Sequence, residues 1–179
     1  MIAPVRPAPP RVVAVDPGSV ESGVVVFDPV CSEPVVYAAK LDNVVLVAAL
    51  RIRELPGVSL HGPHVLVVEM IASYGMPVGR EVFETCVVIG RCLEAWSGRA
   101  HRVYRREVKE ALCHSPKAND ATVRRALLDR FGGDAARGTK KAPGPLYGVK
   151  SDAWSALALA VTYCETNGRP APVAGKEAM

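Results

Sequence analysis

Hydrophobic residues in the first half of the chain come in short unbroken runs rather than in helical stripes. Val12-Val13-Ala14-Val15 is apolar at four consecutive positions, which suits a strand covered on both faces of a sheet, and Asp16 ends it. Pro17-Gly18 turns the chain, a second run from Gly23 to Phe27 leads back, and Pro34-Val-Val-Tyr-Ala-Ala-Lys40 follows. These runs predict strands over 11–16, 23–28 and 34–40. Their connections are too short for crossovers, so the three form an antiparallel meander. Asp42 or Asn43 caps a helix over 43–54, ended by Leu55-Pro56-Gly57. His64-Val-Leu-Val-Val68 is a further buried strand, again with an acid, Glu69, at its end. If the strands bearing Asp16 and Glu69 are parallel neighbours in one sheet, the two acids meet.

Helical spacing takes over downstream. A loop over 71–79 holds Gly75, Pro77 and Gly79 around Tyr74 and Met76, and a helix over 80–97 places Val82, Cys86, Ile89, Leu93 and Trp96 on one stripe. His101–Arg105 reads as a short strand with Arg102, Arg105 and Arg106 at its ends. Helices follow over 106–113 and 118–131. The second turns Val123, Leu127, Leu128 and Phe131 inward and leaves Arg124, Arg125 and Arg130 to solvent or phosphate. Gly132–Val149 is a long loop rich in Gly, Pro and base, and loops of that length in a small domain are functional or disordered. The last helix, over 151–166, carries Asp152 in its first turn, where the macrodipole favours a negative charge. A flexible Pro-rich arm over 1–10 and a frayed tail over 167–179 flank a single domain over 11–166, with no internal repeat.

Composition narrows the class without naming a chemistry. A chain of 179 residues that is 49% hydrophobic can bury a substantial core, and with 6% aromatics that core must be built from Val, Leu and Ala. Lys and Arg number 22 against 18 Asp and Glu, a net charge of +4 that permits a polyanionic partner without demanding one. The five cysteines are odd in number and no pair has C-x-x-C spacing, which argues against a disulfide framework or zinc site. MIAPVRPAPP lacks the apolar segment of a signal peptide, and the longest apolar run, Val44–Leu50, is too short to span a bilayer. A soluble, cytoplasmic protein with no membrane partner is expected.

Three acids then stand out: Asp16 and Glu69 at strand ends, and Asp152 at a helix start. Singly, Asp16 reads as a turn residue before Pro-Gly and Asp152 as a cap, whereas Glu69 extends a valine-rich strand where burial is expensive. Together, an Asp/Glu/Asp set without histidines suits hard, oxygen-seeking cations such as Mg²⁺ or Mn²⁺. Two such ions about 3.5–4 Å apart are a common means of activating water in phosphodiester hydrolysis.

The motifs that carry these acids resemble a known family. Val15-Asp16-Pro17-Gly18-Ser19, then Val68-Glu69, then Asp152-Ala-Trp-Ser-Ala-Leu-Ala-Leu-Ala-Val-Thr-Tyr163 look like RuvC-type Holliday-junction resolvases. Gly75–Thr85 and Lys140–Gly148 are similar to the phage and prophage subgroup. The resemblance spans residues 11–164. It implies an α/β, RNase H-like fold: a mixed five-stranded sheet, the antiparallel meander plus parallel strands, flanked by helices. It further implies a homodimer acting on four-way or other branched DNA, in a bacterial or phage-infected cytoplasm. By motif position Asp16, Glu69 and Asp152 would be the metal-binding catalytic carboxylates. Two Mg²⁺ ions are expected, with Mn²⁺ able to substitute, and products with 5′-phosphate and 3′-hydroxyl ends.

Lys109 matches a basic position of the family. With Arg124, Arg125, Lys140, Lys141 and Lys150 it would hold backbone phosphates, although an ordinary solvated face is the alternative for each. The chain also departs from the family pattern. Ser155 stands where a fourth acid is usual, Asp120 falls near a usual base, and Ala72 replaces an aromatic, for which Tyr74 or Met76 is the candidate wedge between unstacked bases. Helix 80–97 is the candidate dimer surface, its stripe equally suited to core. Rival readings are a nuclease of the same fold acting on other branched DNA or structured RNA, and a junction-binding protein without catalysis. An actin-like kinase would need a second phosphate-binding turn and about twice the length.

Overall fold

The valine runs form strands because both of their faces are covered. The computed structural model describes residues 9–73, 75 and 77–167. Most of the predicted arm and tail, and Tyr74 and Met76, lie outside the described residues. β1 (Arg11–Asp16), β2 (Glu21–Phe27) and β3 (Val35–Asp42) make the expected antiparallel meander. After α1 (Asn43–Ile52) and the two-residue strands β4 (Glu54–Leu55) and β5 (Val58–Ser59), the chain enters β6 (His64–Met70), parallel to β1. α2 (Arg80–Ala95) returns it to β7 (Ala100–Tyr104), parallel to β6. α3 (Arg105–Cys113), α4 (Asp120–Arg130), a 3-10 turn over Gly133–Arg137 and α5 (Ala153–Thr166) complete the fold. The sheet order is β3-β2-β1-β6-β7. This is a mixed five-stranded sheet flanked by helices, the RNase H-like arrangement.

Side-chain alternation splits the core cleanly. Val13, Val15, Val24, Val26, Leu66 and Val68 face one side, where Leu46 and Leu50 of α1 and Ile89 and Cys92 of α2 meet them. Val12, Ala14, Val25, Phe27, Val65 and Val67 face the other, against α3, α4 and α5. α5 lies across β1 and β2 and is buried almost all round, from Ala156 to Cys164. That is why it lacks a polar stripe and reads as a near-continuous apolar run.

Two expectations need correction, and two open alternatives are decided. α1 stops at Ile52, not at residue 54, because Arg53 takes the left-handed conformation at φ 60°. Its guanidinium donates to the Leu60 carbonyl at 2.6 and 2.9 Å and stacks on Trp96 at 4.2 Å, so Leu55-Pro56-Gly57 forms the β4–β5 turn and does not end the helix. Of the two possible caps, Asp42 does the work, accepting from the Val44 and Val45 amides at 2.7 and 3.3 Å. On α2 the buried stripe is Thr85, Val88, Ile89, Cys92 and Ala95, while Cys86 of the predicted stripe is exposed. α2 is apolar on two sides, and packing against α1 and β6 selects the inner one. Finally, 132–149 is ordered: Ala136 and Leu146 are buried in the α5 side of the core, and Gly138 bridges to Pro143. No described helix is long and apolar enough to cross a membrane, and none of the five cysteines forms a disulfide.

Candidate active site

Sheet register brings the first two acids together. β1 and β6 run parallel with Val15 beside Val68, so the next residues, Asp16 and Glu69, stand side by side at the carboxyl ends of the two strands. Asp16 pairs with Gly23 on its other flank. A Cβ on Gly23 would lie 2.5 Å from the Asp152 carbonyl oxygen and 3.0 Å from its Cβ. The missing side chain is therefore what lets the start of α5 settle against β2, next to Asp16. Gly23→Ala is expected to lower stability by about 1–3 kcal/mol, because the α5 start must move away. Denaturant melts check this, and an unchanged midpoint would mean that Asp152 need not sit there.

The turn after Asp16 is tied down from below. Asn43 Nδ2 donates to the Gly18 carbonyl at 2.9 Å, and Ser22 Oγ donates to Asn43 Oδ1 at 2.6 Å. The Gly18 amide in turn donates to Ser22 Oγ at 3.4 Å, while a Cβ on Gly18 would meet the Glu21 carbonyl oxygen at 2.4 Å. Ser22 and Asn43 are both buried, so this polar knot is satisfied and rigid, which keeps Asp16 at a constant height above the sheet.

Burial dominates the electrostatics of the site. Burial raises the Asp16 carboxyl to about 6, and the Asp152 charge adds to that, while Arg105 and a hydrogen bond from Ser155 act in the opposite direction. Burial and then the charge of Asp16 raise Glu69 to about 8, against the pull of Arg105. Glu69 Oε2 is buried without a hydrogen-bond partner, 3.5 Å from Arg105 Nη1. Asp152 occupies the cap position of α5 but makes no capping bond. Its carboxylate accepts from Ser151 Oγ at 3.1 Å and pairs with Lys40 of β3 at 3.1 Å, and Lys40 also holds Glu21 at 3.1 Å.

The donor set suits a hard divalent cation: three carboxylates, no nitrogen or sulfur, and a buried oxygen with no partner. As they stand, no group of three His, Cys, Asp or Glu side chains among the described residues is close enough to hold an ion. The cause is visible. Glu69 leans to Arg105 and Asp152 to Lys40, so the outer acids are occupied by cations of the chain itself.

Arg105 is the residue that sequence reasoning left out of the site. It lines a cleft of about 180 Å³ with Asp16 and Glu69, and a second of about 370 Å³ with Asp152, Ser155, Arg124 and Asp120. It also borders a basic groove of about 460 Å³ with Arg106, Lys109 and Lys117. Arg105 directly follows β7, the strand beside β6, much as Asp16 ends β1, but only the sheet order shows that these strand ends lie at one edge.

Of the predicted phosphate contacts, Lys109 lies in the basic groove, and Arg124 reaches the Asp152 cleft with its guanidinium 4.6 Å from the Trp154 ring centre. Lys150 is exposed beside Asp152. Arg125 is instead engaged with Asp129 at 2.8 Å and Asp134 at 3.3 Å and lines none of these three clefts. Lys140 and Lys141 are exposed on the Thr139–Ala142 turn. Asp120, where the family pattern suggests a base, pairs with Arg105.

No family model matches the chain, and no curated protein does. Solved structures do. That of Thermus thermophilus RuvC is 20% identical over 91% of this chain and 99% of the other, with a TM-score of 0.54. T. thermophilus RuvC in complex with a Holliday junction substrate is 18% identical over 92% and 99%, with a TM-score of 0.57. The five strands, their order and the helices around them thus make up the same fold as RuvC, over nearly the whole of both chains.

Proposed function

We propose that this chain is a divalent-metal-dependent endodeoxyribonuclease that resolves branched DNA, four-way junctions above all. The observation that carries the reading is the pair of largely buried carboxyls with raised pKa values, Asp16 and Glu69, at the ends of neighbouring parallel strands, with the Asp152 charge acting on Asp16, within a fold shared with a junction-bound RuvC. Asp16, Glu69 and Asp152 would hold Mg²⁺, two ions per site, with Mn²⁺ able to substitute. Ions so held would supply a more acidic water and offset the negative charge that builds on the departing 3′ oxygen. The water oxygen would bond to phosphorus and give its proton to solvent, as the bond from phosphorus to the 3′ oxygen breaks and that oxygen takes up a proton, leaving 5′-phosphate and 3′-hydroxyl ends.

The chain's own cations bind and orient the substrate. Lys109 and its groove take one stretch of backbone, and Arg124, preorganised on Trp154, takes phosphate beside Asp152. Lys140, Lys141 and Lys150 extend that charge along the outer surface, and Arg125 contributes only by giving up Asp129 or Asp134. Such contacts position DNA without reading bases. Tyr74 remains the candidate wedge of the reading.

The deciding experiment offers the purified chain synthetic four-way junction, flap, splayed duplex and structured RNA, in Mg²⁺, Mn²⁺ and EDTA. Junction cleavage in either metal and none in EDTA is expected. Preferred cutting of flap or RNA would move the reading to another substrate, and tight junction binding without cleavage in either metal would end the catalytic one.

We place the homodimer contact on the outer side of α2, where Phe83 and Val87 are 61% and 58% exposed with Val78 close in sequence at 41%. Phe83→Asp is expected to weaken self-association roughly 100-fold by sedimentation while the fold is kept, because a charge would be buried unpaired at the contact. An unchanged sedimentation profile would send the contact elsewhere.

A further inference from the structure

Arg105 has a position that phosphate binding alone does not explain. Its Nη2 is held by Asp120 at the start of α4, and its Nη1 points to Glu69 Oε2 at 3.5 Å. Both Nη1 and Oε2 are sealed from solvent, and neither has a hydrogen-bond partner. At that length the pair shares charge without a satisfying hydrogen bond, and buried charged groups in that condition gain from any better partner. Each has one to hand: a cation for Glu69, and a phosphate for a guanidinium that borders all three clefts. Lys40 also pairs with a candidate ligand, Asp152, at 3.1 Å, but both of those side chains are exposed.

We propose that Arg105, anchored by Asp120, is an exchangeable counter-ion: it neutralises the ionised form of Glu69 while no divalent ion is bound, and it passes to a backbone phosphate of the nucleic acid when an ion takes Glu69. This rests on the three carboxylates being the metal ligands. Ion loading and DNA binding then favour one another reciprocally, and the coupling runs through a single side chain. Asp120 sets the balance, since it competes with Glu69 for the same guanidinium. Arg105 is in this sense a positioning residue for the ion and a binding residue for the DNA.

The test uses Ca²⁺ as the probe, titrated calorimetrically into the full chain across pH and compared at the alkaline plateau, where protons no longer compete. Junction affinity is measured alongside in Ca²⁺ and in EDTA. Arg105→Gln should bind Ca²⁺ about fivefold more tightly, because no resident cation opposes it, and should lose most of the gain in junction affinity that Ca²⁺ gives the parent. Asp120→Asn should bind Ca²⁺ about threefold more weakly, because Arg105 then rests on Glu69 alone. In the Arg105→Gln background, Asp120→Asn should change nothing. If Asp120 acted only as a distant negative charge, it would weaken Ca²⁺ equally in both backgrounds, and the inference would fall.

It also falls if Arg105→Gln weakens Ca²⁺ binding and leaves the junction gain intact, the result expected of a residue that merely supports Glu69. Asp120 is 80% exposed, so its variant keeps the test open should Arg105→Gln misfold. Failure of the parent reading looks different: Ca²⁺ binding unaffected by Asp16→Asn would place the ion elsewhere and overturn both.

Discussion

Asp16→Asn is expected to cut junction cleavage by about three orders of magnitude or more, with junction affinity in EDTA changed by no more than about threefold. Asn keeps the shape of the side chain, so the Gly18–Ser22–Asn43 knot beneath it stays in place. What goes is a negative charge beside Glu69 and the start of α5, and with it one of the two carboxylate oxygens that would hold an ion. The variant should also be no less stable than the parent at pH 8, because it removes a carboxylate whose ionised form burial disfavours. Single-turnover cleavage and junction binding on one preparation measure both effects. Cleavage at the parent rate would remove Asp16 from the site and leave the convergence of acids without chemistry.

The second large effect is on stability against pH. Asp16 and Glu69 titrate at about 6 and about 8 in the folded chain, above the ordinary carboxyl values of 3.8 and 4.5, chiefly through burial. A carboxyl with a raised folded-state pKa binds more protons when folded than when unfolded, so its contribution is fully present below the unfolded value. That contribution is lost as pH rises through the folded value. In the absence of divalent ions, unfolding free energy should therefore fall between about pH 4 and pH 8, by a few kcal/mol in order of magnitude. Mg²⁺ binds the ionised carboxylates, so the stabilisation it brings should be larger at pH 9 than at pH 5. Urea melts at both pH values, with Mg²⁺ and with EDTA, test the sign. Constant stability across the window would show that the two carboxyls are ordinarily solvated. In the Asp16→Asn variant the lower part of the slope should flatten while the part owed to Glu69 shifts to lower pH, since the charge of Asp16 is one cause of its elevation.

Both results trace back to features that the chain displays unevenly. The strand-end acids were legible because a carboxylate after four or five buried apolar residues is a local anomaly, and local anomalies survive without a fold. The buried run of α5 was legible for the same reason. Arg105 was not, since an arginine at the end of a short strand among Arg102 and Arg106 has no local mark of distinction. Its importance comes from Glu69 and Asp120, 36 and 15 residues away. The stripe of α2 was legible only in part: Ile89 and Trp96 are buried and Leu93 packs beside them, but Cys86 is exposed, because packing against α1 and β6 turns Val88 and Cys92 inward instead. Arg125 looked as available as Arg124 on sequence, yet Asp129 and Asp134 claim the first and Trp154 orients the second.

By itself, then, the amino-acid order determined the strands, the meander, the layered core and the three acids, since each depends on periodicity or on a residue type out of place among its neighbours. Tertiary structure decided how those acids stand toward one another. The parallel register of β1 with β6 sets Asp16 beside Glu69, and the missing side chain of Gly23 admits Asp152. Lys40 and Arg105 then hold the two outer carboxylates. The physical reason is range: hydrophobic pattern acts over a few residues, whereas charge and steric contact act between whatever segments the fold brings within a few ångströms.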